Sequence, residues 1–157
     1  EFGAGVPFQR TAGSHDPRAA FIFEGIGDEE LIGDFPNLQV RHGAAGYEFD
    51  RAEAELGSPP GTIILASSVG FDTQLAKAMI DERLWFASGR DRARTDDPQQ
   101  PDRPHRFVRA DMTYLEYPGG GAVFSAGAIC WRGALSWNSY DNNVSRITEN
   151  VLREFSS

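Results

Sequence analysis

The chain has 157 residues, of which 40% are hydrophobic and 11% aromatic, so it can form one folded domain with a core. The formal net charge of −8 argues against nucleic-acid binding, which needs clustered Lys and Arg, and no apolar run reaches the roughly 18 residues that span a bilayer. Cys130 is the single cysteine and no signal-peptide pattern is present, so we expect a cytoplasmic protein.

The N-terminal segment, residues 1–18, is rich in Gly, Pro, Ser and charge, and it is predicted to be a lead-in with little structure of its own. Residues 19–157 are predicted to form a C-terminal α/β domain. Because the sequence begins with Glu1 rather than Met, we expect it to be part of a larger chain or a processed product.

Short apolar runs predict strands in the first half of the chain. Ala19–Phe23 is predicted to be a buried strand, residues 28–32 one helical turn, and Leu38–His42 a half-buried strand. Thr62–Ala66 is the strongest strand prediction. Its continuous apolar character favours a strand covered on both faces, as in a mixed sheet with flanking helices.

The second half of the chain alternates helical and strand patterns. Residues 72–86 are predicted to be a helix, and residues 89–106 a mobile charged loop. A hairpin is predicted over residues 111–126, with three glycines at its turn. Asn142 and Asn143 are predicted to cap a final helix over residues 144–155. The apolar face of that helix is Val144, Ile147, Val151, Leu152 and Phe155, and Glu149 and Arg153 form an i,i+4 pair.

The stretch RHGAAGYEFDR, residues 41–51, contains the main candidate for chemistry. Four small residues precede Glu48, which stands between Tyr47 and Phe49. If residues 47–50 are extended, Glu48 and Asp50 share one face about 6 to 7 Å apart, a spacing that can raise the pKa of one carboxyl and create a general base. The small residues, including Gly46, would allow close approach of a ligand or of another segment. The alternative is a solvated Glu48 with small residues that only pack.

Other candidates are weaker. Ser67 and Ser68 follow the strong strand, but the G-x-S-x-G pattern of a serine hydrolase is absent, and capping by their hydroxyls explains them. Cys130 has apolar neighbours that favour core packing. The three histidines have no metal-ligand spacing, so the residues alone support no zinc site.

Two stretches resemble a known family. RADMTYLEYPGGGAVFSAGAICWRGALSWNSYDNNVSRITENVLREF, residues 109–155, resembles the C-terminal end of the large (beta) subunit of N,N-dimethylformamidase. FIFEGIGDEELIGDF, followed by GAAGYEFDR and IILASSVG, is similar to the segment upstream in the same family. In this family the cysteine tends to follow the tryptophan, whereas here Cys130 precedes Trp131 and Arg132 follows it, which makes the cysteine a poor nucleophile candidate.

The resemblance implies a fold and an activity. It implies an α/β domain with a mixed sheet, similar to the glutamine-amidotransferase and ThuA-like folds, in a subunit with upstream domains and a small partner subunit. It implies hydrolysis of a small formamide to an amine and formate by an iron enzyme whose metal ligands, two tyrosines and a carboxylate, lie upstream. By order along the chain, Glu48 matches a glutamate near the iron and would act as proton shuttle, with Tyr47, Asp50 and Gly46 as pocket or support.

Three hypotheses follow for the function of the chain. The first is the C-terminal part of an iron-dependent formamide hydrolase with Glu48 as its proton shuttle. The second is a non-catalytic module that completes a sheet and builds an oligomer, in which Glu48 is exposed and its replacement is silent. The third is a serine hydrolase that uses Ser67 or Ser68.

Overall fold

The computed structural model describes residues 5–71 and 109–157, and the fold is given for these ranges. It is a mixed α/β structure in which a sheet and several short helices enclose one core. The predicted helix over residues 72–86 and the predicted loop over 89–106 lie outside the described residues.

The described strands form one sheet of four strands in the order β1-β2-β3-β4, and every neighbouring pair is antiparallel. The strands are β1 (Gln9–Arg10), β2 (Ile63–Val69), β3 (Arg109–Glu116) and β4 (Ala122–Ser125). The strand predicted at Thr62–Ala66 is confirmed, but the mixed sheet is wrong for the described strands. The run of apolar residues in β2 is explained by a register irregularity between Ile64 and Ala66, which lets both Leu65 and Ala66 be buried.

The predicted hairpin is confirmed by β3 and β4, which pair from Thr113 with Ser125 to Glu116 with Ala122. Its turn is closed by a hydrogen bond from the Tyr117 amide to the Gly121 carbonyl at 3.1 Å. Gly120 and Gly121 have φ angles of 91° and 84°, a region that residues with a Cβ rarely adopt.

The strand predicted at Ala19–Phe23 is wrong, because Pro17–Phe23 forms a 3₁₀ helix. The Asp16 side chain accepts from the Arg18 amide and caps this helix, and Pro17 occupies its first turn. The buried residues are Ala19, Ile22 and Phe23, which have a helical spacing although the apolar run around them is continuous.

The lead-in prediction of little structure is wrong over residues 5–18. Phe8 is fully buried, β1 pairs with β2, and Ala12–His15 forms another 3₁₀ helix. Asp16 and the Arg18 guanidinium also form an ion pair at 2.7 Å, and this contact lowers the pKa of the Asp16 carboxyl. This segment therefore contributes an edge strand and part of the core.

Residues 28–42 contain turns and bends rather than a helical turn and a strand. Ile32 forms an isolated antiparallel bridge with Phe8, and Val40 is buried although its neighbours are not in a strand. The side chain of Asn37 bends this segment: its oxygen accepts from the Gln39 amide at 2.8 Å, and its nitrogen donates to the Gly43 carbonyl at 2.9 Å.

Two α-helices end the described chain, α1 (Trp131–Ala134) and α2 (Asn143–Phe155), and 3₁₀ helices occupy Ala54–Leu56 and Trp137–Tyr140. The final helix and its cap are confirmed, because Asn142 accepts from the Ser145 amide at 2.9 Å. The Glu149–Arg153 pair is also confirmed, at 2.6 Å. Along the predicted apolar face, Val144, Ile147 and Val151 are buried, whereas Leu152 and Phe155 are 61% and 46% exposed.

The core lies on one face of the sheet, between the strands and α2. The α2 side chains Val144, Ile147 and Val151 are buried in it. The Asn150 side chain donates to the carbonyls of Ile22 and Glu24, which holds the 3₁₀ helix Pro17–Phe23 against α2. The fully buried apolar side chains of the core include Phe8, Ile22, Ile32, Leu65, Met112, Val144 and Ile147.

Candidate active site

The backbone that carries Glu48 reverses sharply at Tyr47. The Glu48 amide donates to the Gly46 carbonyl at 2.9 Å, and Tyr47 between them has a φ angle of 65°. A bond from residue i+2 to residue i around a positive φ defines a γ-turn of the rare, strained kind. The prediction that residues 47–50 are extended is therefore wrong at Tyr47. Strained turns of non-glycine residues cost about 1 to 3 kcal/mol and persist only where the surroundings fix them.

Both ends of this γ-turn are fixed by neighbouring backbone. Before it, Ala45 forms an antiparallel bridge with Val6. After it, Phe49 forms a bridge with Ala128, and its ring lies against the Phe71 ring with centroids 3.9 Å apart. These contacts hold Glu48 at a defined place in the molecule.

Further along, Asp50 is tied into the sheet by its backbone. The Asp50 amide donates to the Gly127 carbonyl at 2.8 Å, and its carbonyl accepts from the Asp111 amide at 2.9 Å. The segment that follows Glu48 thus lies beside β3 and is bonded to it at Asp111 without forming a regular ladder.

The four small residues before Tyr47 are all buried by this chain's own residues. A Cβ added at Gly43 would lie 2.4 Å from the Val6 nitrogen, and one added at Gly46 would lie 3.1 Å from Cys130 Sγ. Close approach by another segment is thus observed, and that segment is residues 5 and 6. Gly46 accepts the hydrogen bond that closes the γ-turn, and it does not line the groove beside Glu48.

Glu48 lies on an open groove of about 530 Å³. The residues that line it come from three separate parts of the chain: Leu38, Gln39, Tyr47, Glu48, Ile129 and Arg132. The Glu48 side chain is exposed, so the flanking rings do not remove it from water in the described structure. The groove has an apolar rim, because Leu38 is 81% and Ile129 38% exposed.

Asp50 does not share this groove with Glu48. It lines a second cavity of about 220 Å³ on the face of the sheet away from the core, together with Asp111, Thr113 and Ser125. The γ-turn at Tyr47 breaks the alternation that would have put the two carboxylates on one face. The structure therefore does not bring the two carboxylates of the predicted pair into one cavity.

Arg132 brings a positive charge to the groove, and sequence reasoning did not find it. With the Gln39 amide oriented to satisfy both neighbours, its oxygen accepts from Arg132 Nη2 at 3.1 Å and Nε at 3.3 Å, and its nitrogen donates to the Ile129 carbonyl at 3.1 Å. Asn37 fixes this arrangement by donating to the Cys130 carbonyl at 2.9 Å. No local spacing links position 48 with 132, so only the fold brings Glu48 and Arg132 to one groove.

Cys130 lies beneath the groove and is fully buried, as core packing predicted. Burial raises the pKa of its thiol to about 11, and the nearby Arg132 guanidinium offsets only part of that rise. A neutral, enclosed thiol is a packing group and not a nucleophile at neutral pH.

Ser67 and Ser68 lie inside β2 and do not cap a loop. The Ser68 side chain is fully buried and donates to the Val6 carbonyl at 3.2 Å. Ser67 donates to the Asp111 carboxylate at 2.7 Å. These contacts give both hydroxyls structural roles, and a carboxylate without an intervening histidine does not form a Ser-His-Asp arrangement.

The structure does not place a metal-binding group in the described part of the chain. Over residues 5–71 and 109–157, no three His, Cys, Asp or Glu side chains are grouped so that they could hold a metal ion. His42 pairs instead with the Asp34 carboxylate at 2.6 Å. No helix within the same ranges is long and apolar enough to cross a membrane.

In the described part of the chain, these features define an α/β domain with an antiparallel sheet and a groove beside a strained turn. The family described as N,N-dimethylformamidase beta subunit-like, C-terminal matches residues 1–143, and the chain belongs to this family. It is 44% identical over 148 residues to the N,N-dimethylformamidase beta subunit of Paracoccus aminophilus, and 43% identical over 148 residues to that of an Alcaligenes species. Each match covers 94% of this chain and 18% of the relative, so the chain spans about a fifth of their length. The family resemblance found in the sequence is confirmed.

Proposed function

We propose that this chain is the C-terminal part of an amide hydrolase that cleaves a small formamide to an amine and formate. The observation that supports this most directly is the family membership, since both relatives are named as subunits of N,N-dimethylformamidase. Because the chain corresponds to 18% of those proteins, the activity belongs to a longer subunit and not to these residues alone.

In this proposal Glu48 moves the proton that hydrolysis requires. The water oxygen bonds to the formyl carbon, the carbon–nitrogen bond breaks, and one water proton ends on the amine nitrogen. Glu48 accepts that proton from the attacking water and donates it to the leaving nitrogen. Its place on the groove and the strained γ-turn at Tyr47 support this assignment, since strained backbone is concentrated at functional sites.

Because Glu48 is exposed in this domain, the proposed function requires another part of the subunit to cover the groove. Closing an active site over its substrate expels water and strengthens the polar contacts inside, so we propose that another part of the subunit covers the groove and takes Glu48 out of water. The exposed apolar side chains of Leu38 and Ile129 at its rim suit such a cover. We assign the cover to the upstream domains.

Iron is the metal that we expect in the complete enzyme, with its ligands outside the described residues. The described residues do not fit a metal site, so we derive no catalytic step through the metal from this chain. A bound iron would supply a Lewis acid to the reaction. The contribution that we assign to this chain is limited to the groove and Glu48.

The assembly and the wider fold are also part of the proposal. The relatives carry the name beta subunit, and we propose that the longer protein pairs with a small partner subunit in a hetero-oligomer in the cytoplasm. The similarity to the glutamine-amidotransferase and ThuA-like folds stays a prediction.

The decisive test is Glu48→Gln in the full-length subunit with its partner. The amide keeps the size of the side chain and removes its basicity, so we expect turnover of N,N-dimethylformamide to fall by about 10²- to 10⁴-fold, the usual size of a general acid–base contribution. Formate release gives the rate, and metal analysis with a melting curve shows whether iron and fold are retained. Glu29→Gln makes the same charge change at an exposed turn and serves as the matched control.

The exposure of Glu48 equally suits the alternative of a non-catalytic structural module. That alternative predicts wild-type turnover for Glu48→Gln, and this result would end the assignment of a catalytic role. A loss of turnover shared by Glu29→Gln would contradict the assignment as well, since it would trace the effect to charge in general.

A further inference from the structure

We propose, on the basis of the function proposed above, that Arg132 is a substrate-binding residue that donates hydrogen bonds to the carbonyl oxygen of the amide. This contact would turn the amide nitrogen toward Glu48, on the other part of the same groove. The proposal thus assigns a second polar group to the site and gives the substrate one orientation in it.

The two charged residues of the groove are opposite in sign and are left available for a ligand. Glu48 and Arg132 both line it, yet no ion pair joins them, and the described residues offer the Glu48 carboxylate no other partner. Here a donor and an acceptor face the groove separately.

Arg132 is held in place while donors remain free for a substrate. The side-chain oxygen of Gln39 accepts from Nη2 and Nε of Arg132. Gln39 is in turn held by its backbone amide, which donates to the Asn37 side-chain oxygen. A guanidinium carries five N–H groups in a fixed plane, so two bonds to Gln39 orient the group and leave three for other acceptors. An anchored arginine with spare donors is typical of a site that recognises an oxygen acceptor.

A neutral N-alkyl amide fits this groove better than an anion does. Its carbonyl oxygen is an acceptor for Arg132, and its nitrogen becomes the proton acceptor that Glu48 serves. A carboxylate ligand would meet the negative charge of Glu48. The alkyl groups on nitrogen would contact the apolar side chains of Leu38 and Ile129 at the rim. A charged substrate without such groups would leave these side chains exposed to water.

The test replaces Arg132 in the full-length subunit with its partner and measures binding apart from turnover. Arg132→Gln is expected to raise KM for N,N-dimethylformamide about tenfold or more, the effect of losing one charge-assisted hydrogen bond. Arg132→Lys keeps the charge but not the planar fork, so it should recover part of the affinity. Arg146→Gln on α2, whose partner is Glu149, is the control and should keep the wild-type KM.

Measuring substrate binding in a variant that turns over slowly separates the role of Arg132 from the proposed catalytic role of Glu48. In Glu48→Gln protein, the dissociation constant of N,N-dimethylformamide is measured by titration, with and without Arg132→Gln. A rise of about tenfold on adding Arg132→Gln supports the proposal, and an unchanged constant overturns it. If Glu48→Gln itself turns over at the wild-type rate, the catalytic assignment has failed, while the KM of Arg132→Gln still decides whether Arg132 binds the amide.

Discussion

At position 47 the structure holds a tyrosine in a backbone conformation that sequence alone would not assign to it. Its φ of 65° arises because the Glu48 amide donates a hydrogen bond to the Gly46 carbonyl. The bridges of Ala45 with Val6 and of Phe49 with Ala128 fix the chain on either side. The small residues before it could be recognised as sites of close approach. Which segment approaches them could not, since Val6 and Cys130 are distant in sequence. The consequence for function is that Glu48 and Asp50 face different cavities.

The buried thiol of Cys130 makes the free energy of unfolding depend on pH. Burial raises the pKa of its thiol from 9.0 to about 11, so the folded state holds this proton more tightly than the unfolded state does. The stabilisation is complete below pH 9 and is lost as the pH rises through about 11, because the unfolded thiol ionises first. We expect the free energy of unfolding to fall over this window by an amount on the order of 2 kcal/mol.

The measurement is urea unfolding at several pH values, compared with Cys130→Ala. Tyr114 also has a pKa raised by burial and by its hydrogen bond to Glu116, so it adds its own slope in both proteins. The difference between the two proteins isolates the thiol. Parallel curves for both proteins across this window would show that Cys130 is not the cause.

Among the elements, those defined by local signals were predictable and those defined by tertiary contacts were not. The hairpin follows from three consecutive glycines, and α2 follows from the Asn142 cap. Residues 38–42 alternate like a strand, yet the Asn37 side chain bends them and they pair with no strand of the described sheet. The 3₁₀ helix Pro17–Phe23 has a local signal in its cap Asp16 and in Pro17, but the continuous apolar run that follows is equally typical of a strand.

Asn142 is the residue on which the start of α2 depends. Its oxygen accepts from the Ser145 amide, and its nitrogen donates to the carbonyls of Leu135 at 3.0 Å and Trp137 at 2.7 Å. Asn142→Ala removes the cap and both donors, so we expect a loss of about 2 kcal/mol in the free energy of unfolding. Denaturant titration measures it.

Asn142→Asp separates the two contributions, because a carboxylate keeps the capping oxygen but cannot donate. It should therefore lose about half as much as Asn142→Ala, with some compensation from a negative charge at the helix N-terminus. An alanine variant as stable as the wild type would mean that the turn before α2 holds without this side chain.

For the molecule as a whole, the groove could not be predicted because three distant segments build it. Residues 38–39, 47–48 and 129–132 are far apart in the sequence and meet in the folded chain, where Asn37 joins the first segment to the third. Family resemblance could point to Glu48 within its segment, but it gave no reason to pair that residue with Arg132. The geometry of such a groove depends on the contacts that hold these three segments in place.

Asp111 on β3 joins the sheet to the segment that follows Glu48. Its carboxylate is buried; it accepts from Ser67, from Arg109 Nε at 2.9 and 3.0 Å, and from the Ala52 amide at 2.9 Å. Its backbone amide donates to the Asp50 carbonyl. One residue thus holds β2, β3 and residues 50–52 together, on the face of the sheet opposite the core.

Asp111→Ala should therefore weaken both the fold and the groove. Removing a buried carboxylate that pairs with an arginine costs about 3 to 5 kcal/mol, so we expect a loss of that size in the free energy of unfolding by denaturant titration. Ser67→Ala removes one hydrogen bond from the same network and should cost about 1 kcal/mol. Hydrogen exchange should show faster exchange of the Ala52 amide in Asp111→Ala, because its acceptor is gone. If Asp111→Ala unfolds like Ser67→Ala and the Ala52 amide stays protected, residues 50–52 are held by other contacts, and the position of Glu48 does not depend on the sheet.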